Sequence, residues 1–394
     1  MKIALFHPWI KSRGGAERAI LEFLKRTKHD VDVYTWVYDQ NNTFEEFKRF
    51  NVKVVAPKIA KKISRSYILR GLFLLIALFS KIPLEKYDVF LISTSGLAEA
   101  ITFRNYKPEA TYAYVHTILR AAYKDDVKWN LQHRYKNYLN KFIYLVAVYI
   151  YRIFEKLAWK KIDAVIFNSK LSLERAQKHG LIKGKKYYIV YSSVDVKKFR
   201  KLKTKNYFLY VARFGIVKRQ DVLLKAWKVF VEEHPNYKLV LAGNVENKKY
   251  FESIKKEVKS IKNVEIRANI TDKELIKLYS NCLAGIFVPF MEDFGLVPFE
   301  FLACGKPLIA VNRGGYVELL KDAPSVIWVE EKFDSGAVAN EIYNALKEFI
   351  KKENFYVKQA AKNRNYIKRL DLSWSNFAKR FDEILEKNEK GRLL

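Results

Sequence analysis

Cysteine is scarce in this chain. Two of 394 residues, Cys282 and Cys304, cannot build a disulfide framework, and neither calls for an oxidising compartment. No His and Cys cluster has zinc spacing, and Asp30 and Asp32 read as surface carboxylates at the start of a strand. The G-x-G-x-x-G fingerprint, the Walker phosphate loop and the G-x-S-x-G elbow are all absent, so nicotinamide binding, P-loop hydrolysis and a hydrolase serine lack their sequence support. Long apolar runs are missing too. Residues 71–80, between Arg70 and Lys81, reach about half the ~20 residues a spanning helix needs, and residues 142–151 are equally short. The opening apolar run is too short for a secretion signal. No short-period repeat occurs. Acidic residues are outnumbered 42 to 73, which leaves a net charge of +31.

What the chain does hold is apolar and aromatic mass, 49% and 15%, which excludes a disordered polypeptide and supplies one or two large cores. Its length predicts two or three domains at about 150 residues each. The charge favours polyanionic partners: phosphorylated substrates, nucleic acid or an anionic membrane face. Short apolar runs at 2–7, 30–36, 52–56, 89–93, 111–115, 164–168 and 188–191 read as strands, many separated by helical patterns. Residues 196–206 are rich in Lys and Arg, lack apolar periodicity and read as a linker. The rhythm then restarts, with strands at 207–212, 238–242, 264–267, 285–288 and 307–311 and helices at 221–233, 250–260, 271–281 and 298–303. Such alternation predicts an α/β chain with parallel sheets covered by helices. Two halves are expected, 1–200 and 201–375, followed by a C-terminal helix over 376–394 able to pack back on the first half.

Four loops at strand ends carry chemistry. Ser12-Arg13-Gly14-Gly15-Ala16-Glu17-Arg18 follows the first strand and opens a helix. Its glycines let a ligand approach the backbone, and the helix start offers free N–H groups. Arg213 and Lys218 lie between the first strand and first helix of the second half. An Arg fork and a Lys point charge placed there can converge on a diphosphate. Further on, Glu292 precedes Gly295, and Pro298 suits the first turn of the helix carrying Glu300. The stretch Phe294, Gly295, Leu296 and Val297 aims N–H groups at a phosphate between two carboxylates, which accept hydrogen bonds from sugar or ribose hydroxyls. His116 ends a first-half strand where a ligand can reach it; the alternative is a polar residue capping that end. His7, before Pro8, reads as structural.

Taken in order, several segments make the chain resemble a retaining glycosyltransferase of family four from Met1 to about residue 378. They are Gly14-Gly15-Ala16-Glu17-Arg18, Phe167-Asn168-Ser169, the stretch 190–199, Arg213 with Lys218, Leu241-Ala242-Gly243, Glu292 to Glu300, and Gly314-Gly315. The resemblance implies two Rossmann-like domains facing each other across a cleft, the GT-B fold, with acceptor bound by the first and nucleotide-sugar by the second. It implies that Arg213 and Lys218 bind the donor diphosphate, that Glu292 approaches the donor sugar and Glu300 the ribose, and that the Gly14-Gly15 loop closes over the donor. His116 is then beside the reacting sugar, and His116, Glu292, Arg213 and Lys218 form the catalytic set. No cofactor or metal is implied, only a donor substrate, GDP-mannose or a UDP-hexose. His7-Pro8 with the Gly14–Arg18 segment is similar to mannosyltransferases that build dolichol-linked oligosaccharides. His116-Thr117-Ile118-Leu119-Arg120 is similar to a motif of bacterial polysaccharide mannosyltransferases. Ile118, Ser192-Ser193 and the bridge of residues 214–217 depart from both groups.

Two other readings stand beside this one: a basic nucleic-acid-binding protein, and an epimerase or phosphorylase on the same architecture. Against the former, the basic residues are scattered and no nucleic-acid-binding motif is recognised. The expected partners are therefore a nucleotide-sugar, a polyprenol-linked or glycan acceptor and an anionic membrane surface, with no nucleic acid. The membrane expectation rests on basic flanks: Lys58, Lys61, Lys62, Arg65 and Arg70 before the first short apolar run, and Arg152, Lys156, Lys160 and Lys161 after the second. The expected location is cytoplasmic, peripheral on the cytoplasmic face of the membrane.

Overall fold

A computed structural model describes residues 1–64, 69–135, 137–200 and 202–390 of the chain. Arg65 and Lys201 lie outside the described residues, as do the last four of the expected tail. The chain divides into two compact units, one of residues 1–192 with 374–394 and one of residues 193–373. Each is a parallel sheet with helices, as the strand–helix alternation predicts.

Runs of branched and aromatic residues without alternation form strands buried on both faces, the pattern of a parallel sheet. In the first unit these are Lys2–Phe6 (β1), Asp30–Thr35 (β2), Val52–Val54 (β3), Val89–Thr94 (β4), Thr111–Val115 (β5), Ala164–Phe167 (β6) and Lys186–Ile189 (β7). Their order is β3-β2-β1-β4-β5-β6-β7. Chain order reverses at β1, with β2 on one side and β4 on the other, and ligands of open α/β sheets bind at the strand carboxyl ends beside such a reversal. Helix Gly15–Leu24 (α1) buries Ala19, Ile20, Phe23 and Leu24 against the sheet. Two further helices matter below, Phe73–Phe79 (α2) and Tyr138–Trp159 (α3).

The second unit has Tyr207–Val211 (β8), Lys238–Gly243 (β9), Val264–Ala268 (β10), Ala284–Phe287 (β11), Leu308–Val311 (β12) and Val326–Val329 (β13), in the order β10-β9-β8-β11-β12-β13. Its reversal lies at β8. Helices Gln220–Glu233 (α4), Asp272–Asn281 (α5) and Leu296–Ala303 (α6) follow the strands that position the site. The chain then returns to the first unit as Trp374–Lys390 (α7). Trp374, Phe377, Phe381 and Leu385 recur at helical spacing and enter that unit's core, where the Phe381 ring lies 5.3 Å from Phe23. Thr27 also donates to Asp382 at 2.7 Å.

The expected linker is corrected. Residues 193–200, placed by sequence in the first half, group with the second unit. Val194 N–H donates to Leu372 O at 3.0 Å, and the Arg364 guanidinium donates to the carbonyls of Val196 and Phe199. Leu202 and Lys205 donate to Ser280 O and Asn281 O at 3.1 and 2.7 Å. The stretch reads as solvated in sequence because its partners are backbone groups far along the chain, which leave no local pattern.

Candidate active site

Four loops meet at the carboxyl edge of the second sheet. After β8, Phe214 bridges to Val245 behind β9, and a short 3-10 turn, Ile216–Lys218, leads into α4. After β11, Phe290 N–H donates to Val217 O at 2.8 Å, tying that loop to the first. After β12, Gly314 pairs with Glu292 and Gly315 N–H donates to Glu292 O at 3.0 Å. This backbone lattice places Lys218 Nζ 2.5 Å from Glu292 Oε2, across the reversal between β8 and β11, with both side chains largely buried.

Gly295 lies beside that pair with φ +82, a left-handed conformation that glycine adopts without strain. A Cβ there would sit 3.0 Å from the Tyr316 ring and 3.2 Å from Glu292 Cγ. Gly295 also caps α6, so the first-turn N–H groups of Leu296 and Val297 lie next to Glu292 in the chain. Phe294 turns inward and stacks on Phe299, ring centroids 5.1 Å apart, so it offers backbone and not side chain. Glu300, inside α6, accepts from Tyr279 Oη at 2.5 Å; Tyr279 is fully buried on α5. Arg213 is half exposed and pairs with Glu246 at 3.0 Å.

Arg219 follows Lys218 with φ +55, and its side chain is buried. It pairs with Glu331 at 2.8 Å and lies over the Phe290 ring, 4.7 Å from its centroid. The cation thus fastens the Lys218 turn to the end of β13 and to the loop bearing Glu292.

In the first unit His7, Ser93 and His116 end the adjacent strands β1, β4 and β5. Ser93 Oγ lies 2.9 Å from His7 Nδ1 and 2.8 Å from His116 Nε2. Burial pushes His7 down to about 4 and His116 well below its ordinary value, so both rings are neutral at pH 7. One hydroxyl proton then serves two ring nitrogens, which couples their tautomers. If Ser93 donates to His116 Nε2, His116 carries its proton on Nδ1. Gly14 precedes α1, and a Cβ there would overlap the Glu17 carboxylate, which folds back over the helix start and accepts from Ser12 Oγ at 2.5 Å.

Of the residues singled out by sequence, the structure joins Lys218 to Glu292 and sets Gly295, Leu296, Val297 and Glu300 along the following turn. Arg213 engages Glu246 from its own sheet edge. Gly14, Gly15 and His116 belong to the first unit. Sequence reasoning missed Ser93, Arg219, Tyr279 and Glu331, which act through neighbours distant in the chain. Among the described residues no group of three His, Cys, Asp or Glu is placed to hold a metal ion.

Residues 13–198 match the family described as Glycosyltransferase Family 4, and residues 192–364 match Glycosyl transferases group 1. An uncharacterised glycosyltransferase of Methanocaldococcus jannaschii is 29% identical over 171 residues, covering 43% of this chain and 42% of that protein. The alpha-1,3/1,6-mannosyltransferase of Kluyveromyces lactis is 23% identical over 453 residues, covering 100% of this chain and 86% of the relative. The fold is similar to an Anabaena protein solved in complex with UDP, with TM-score 0.69 and 16% identity over 98% of this chain and 100% of that one.

Proposed function

The chain belongs to the glycosyltransferases of family four, and from that premise we propose that it moves mannose from a nucleotide-diphosphate sugar to a lipid-linked or glycan acceptor, with retention of anomeric configuration. The observation that carries this reading is the Lys218–Glu292 pair at the reversal of the second sheet, beside the start of α6. The ammonium and carboxylate neutralise each other. A donor diphosphate engages the ammonium, and the Glu292 carboxylate accepts hydrogen bonds from sugar hydroxyls.

On this reading the second unit binds donor and the first binds acceptor. Negative charge grows on the leaving diphosphate as the glycosidic bond breaks. Lys218, Arg213 and the N–H groups of Leu296 and Val297 are fixed before reaction and stabilise that charge without reorganising. Glu300, one oxygen held by Tyr279, receives the ribose through the other. The Gly14-Gly15 loop serves the donor, and His116 lies beside the reacting sugar. GDP-mannose is the proposed donor; the Anabaena neighbour's UDP supports a UDP-hexose as the second choice. The acceptor is polyprenol-linked, and the protein works peripherally at the cytoplasmic face of an anionic membrane.

A thermal-shift screen of nucleotide-sugars tests the donor. A binder at 100 times its Kd stabilises the fold by about 2.7 kcal/mol. Stabilisation by GDP-mannose, followed by mannose transfer to a polyprenyl-diphosphate-linked oligosaccharide in phosphate-free buffer, is expected; a strict requirement for phosphate would indicate a phosphorylase. Because the charge-stabilising groups named here are cations and backbone N–H groups, activity is expected to survive EDTA. Complete loss restored by Mg²⁺ or Mn²⁺ would overturn that expectation.

A further inference from the structure

Helix α3 is apolar on the side that faces away from the protein. Its buried stripe holds Val148, Tyr151, Glu155, Ala158 and Trp159. Tyr151 Oη bonds Glu99 at 2.7 Å and Glu155 at 3.0 Å, and Thr102 Oγ1 donates to Ala158 O at 3.1 Å, so this face is fastened to the first unit. On the opposite face Leu139, Phe142, Val146, Tyr149, Ile150 and Ile153 recur at helical spacing, all exposed, Phe142 by 66% and Tyr149 by 68%. A helix on a domain that meets only water turns polar residues outward. A contiguous apolar area beyond a few hundred Å² marks an interaction surface. Helix α2 adds Leu75, Leu78 and Phe79, the last 82% exposed. Both helices pack against Ala98–Phe103, so the two faces share one flank of the unit.

Charge selects the occupant. From 134 to 161 the single carboxylate is Glu155, and it is buried on the far side. Residues 58–84 contain no acid. Exposed Arg134, Lys156 and Lys160 border one apolar face, and exposed Lys58, Lys62 and Lys81 border the other. A second copy of a chain carrying +31 would bring these cations against their like. Anionic lipid headgroups over an acyl layer complement both the lysines and the apolar stripe. Crossing the bilayer is ruled out for α3 by its fastened face, and among the described residues no helix is long and apolar enough to span.

We propose that the outward faces of α3 and α2 dock on an anionic lipid leaflet, with α3, about 33 Å long, lying flat at the headgroup–acyl boundary. The proposal deepens the reading of the acceptor as lipid-linked and rests on that reading only for its purpose. Binding itself is measured without turnover. Flotation is run without donor or acceptor, on vesicles of phosphatidylcholine mixed with phosphatidylglycerol and on phosphatidylcholine alone. The wild-type chain is expected to float with the mixed vesicles at low salt, less at high salt and less with the neutral ones. The combined variant Phe142→Asp, Tyr149→Asp, Ile153→Asp is expected to lose at least tenfold in partitioning while keeping its melting temperature. A milder variant, Lys156→Gln with Lys160→Gln, should lose about fivefold per lysine at low salt and little at high salt. A wild-type chain that stays soluble with anionic vesicles, or a triple variant that floats as well as wild type, overturns the proposal. So does a stable dimer in vesicle-free solution that the triple variant dissociates. Flotation by a preparation that turns over no nucleotide-sugar supports the surface and fails only the transfer reading.

Discussion

Lys218 and Glu292 lie 2.5 Å apart with most of each side chain hidden from water, so the two charges interact strongly. Removing either leaves a part-buried charge and, on the proposed reading, deletes a donor contact. Lys218→Ala and Glu292→Ala are each expected to cut turnover on the order of 10²–10³-fold while circular dichroism shows an intact fold. Arg213→Lys loses the bidentate fork and should be damaging in the same assay. Near-normal turnover in both alanine variants would take the pair out of the site. On the proposed reading Glu300 meets a different part of the donor. Tyr279 holds one of its oxygens, so Tyr279→Phe and Glu300→Ala should both raise the donor KM with little change in kcat. A collapse of kcat at constant KM in either variant would contradict the ribose assignment.

At the scale of elements, α3 and the ends of β1 and β5 carry opposed titrations. Burial beside Glu99 pushes the Glu155 carboxyl up to about 8, and burial pushes His7 down to about 4. Between pH 6.5 and 4 the unfolded chain binds a proton that folded His7 refuses, so stability falls as pH drops, by about 3 kcal/mol in all. Between pH 4.5 and 8 folded Glu155 keeps a proton that the unfolded chain has lost, so stability falls as pH rises. His116, lowered by burial as well, acts on the same side as His7; Glu155 opposes both below pH 6.5, and above that pH the histidines no longer offset it. The melting temperature is therefore expected to decline from pH 6.5 to 8, and Glu155→Gln should flatten that decline. An unchanged decline in this variant would show that Glu155 is ionised in the folded protein.

At the scale of the whole molecule, the path of the chain makes the two units unequal. Residues 193–373 are contiguous and contain β8 to β13. The first unit is completed only by α7, which inserts Trp374, Phe377, Phe381 and Leu385 into its core. Burying four such side chains is worth about 1.5–3 kcal/mol each, comparable with the whole stability of a domain. Expressed alone, residues 193–373 should be soluble and gain stability from nucleoside diphosphates. Residues 1–192 alone should aggregate, and adding 374–394 in trans should rescue them. A soluble, cooperatively melting 1–192 fragment would show that α7 is dispensable.

The sequence by itself determined the α/β class, the order of most strands and the residues of the loops proposed to face the donor phosphates. These are legible because a parallel strand buried on both faces writes a short unbroken apolar run, and because Gly295, Pro298 and Glu300 sit on one local turn. The Glu292–Glu300 spacing and the Arg213 and Lys218 positions belong to single loops, so their geometry follows from neighbours in the chain. Other features were decided only by tertiary structure. The lysine-rich stretch after residue 195 lies along the second unit because Ser280 and Asn281 accept from its backbone N–H groups and Arg364 donates to its carbonyls. Ser93 joins two histidines only because β1, β4 and β5 are adjacent in the sheet, and Tyr279 reaches Glu300 only because α5 packs beside α6. The apolar face of α3 was equally hidden: its sequence is apolar nearly all round, and only packing decides which stripe the protein covers and which it leaves exposed.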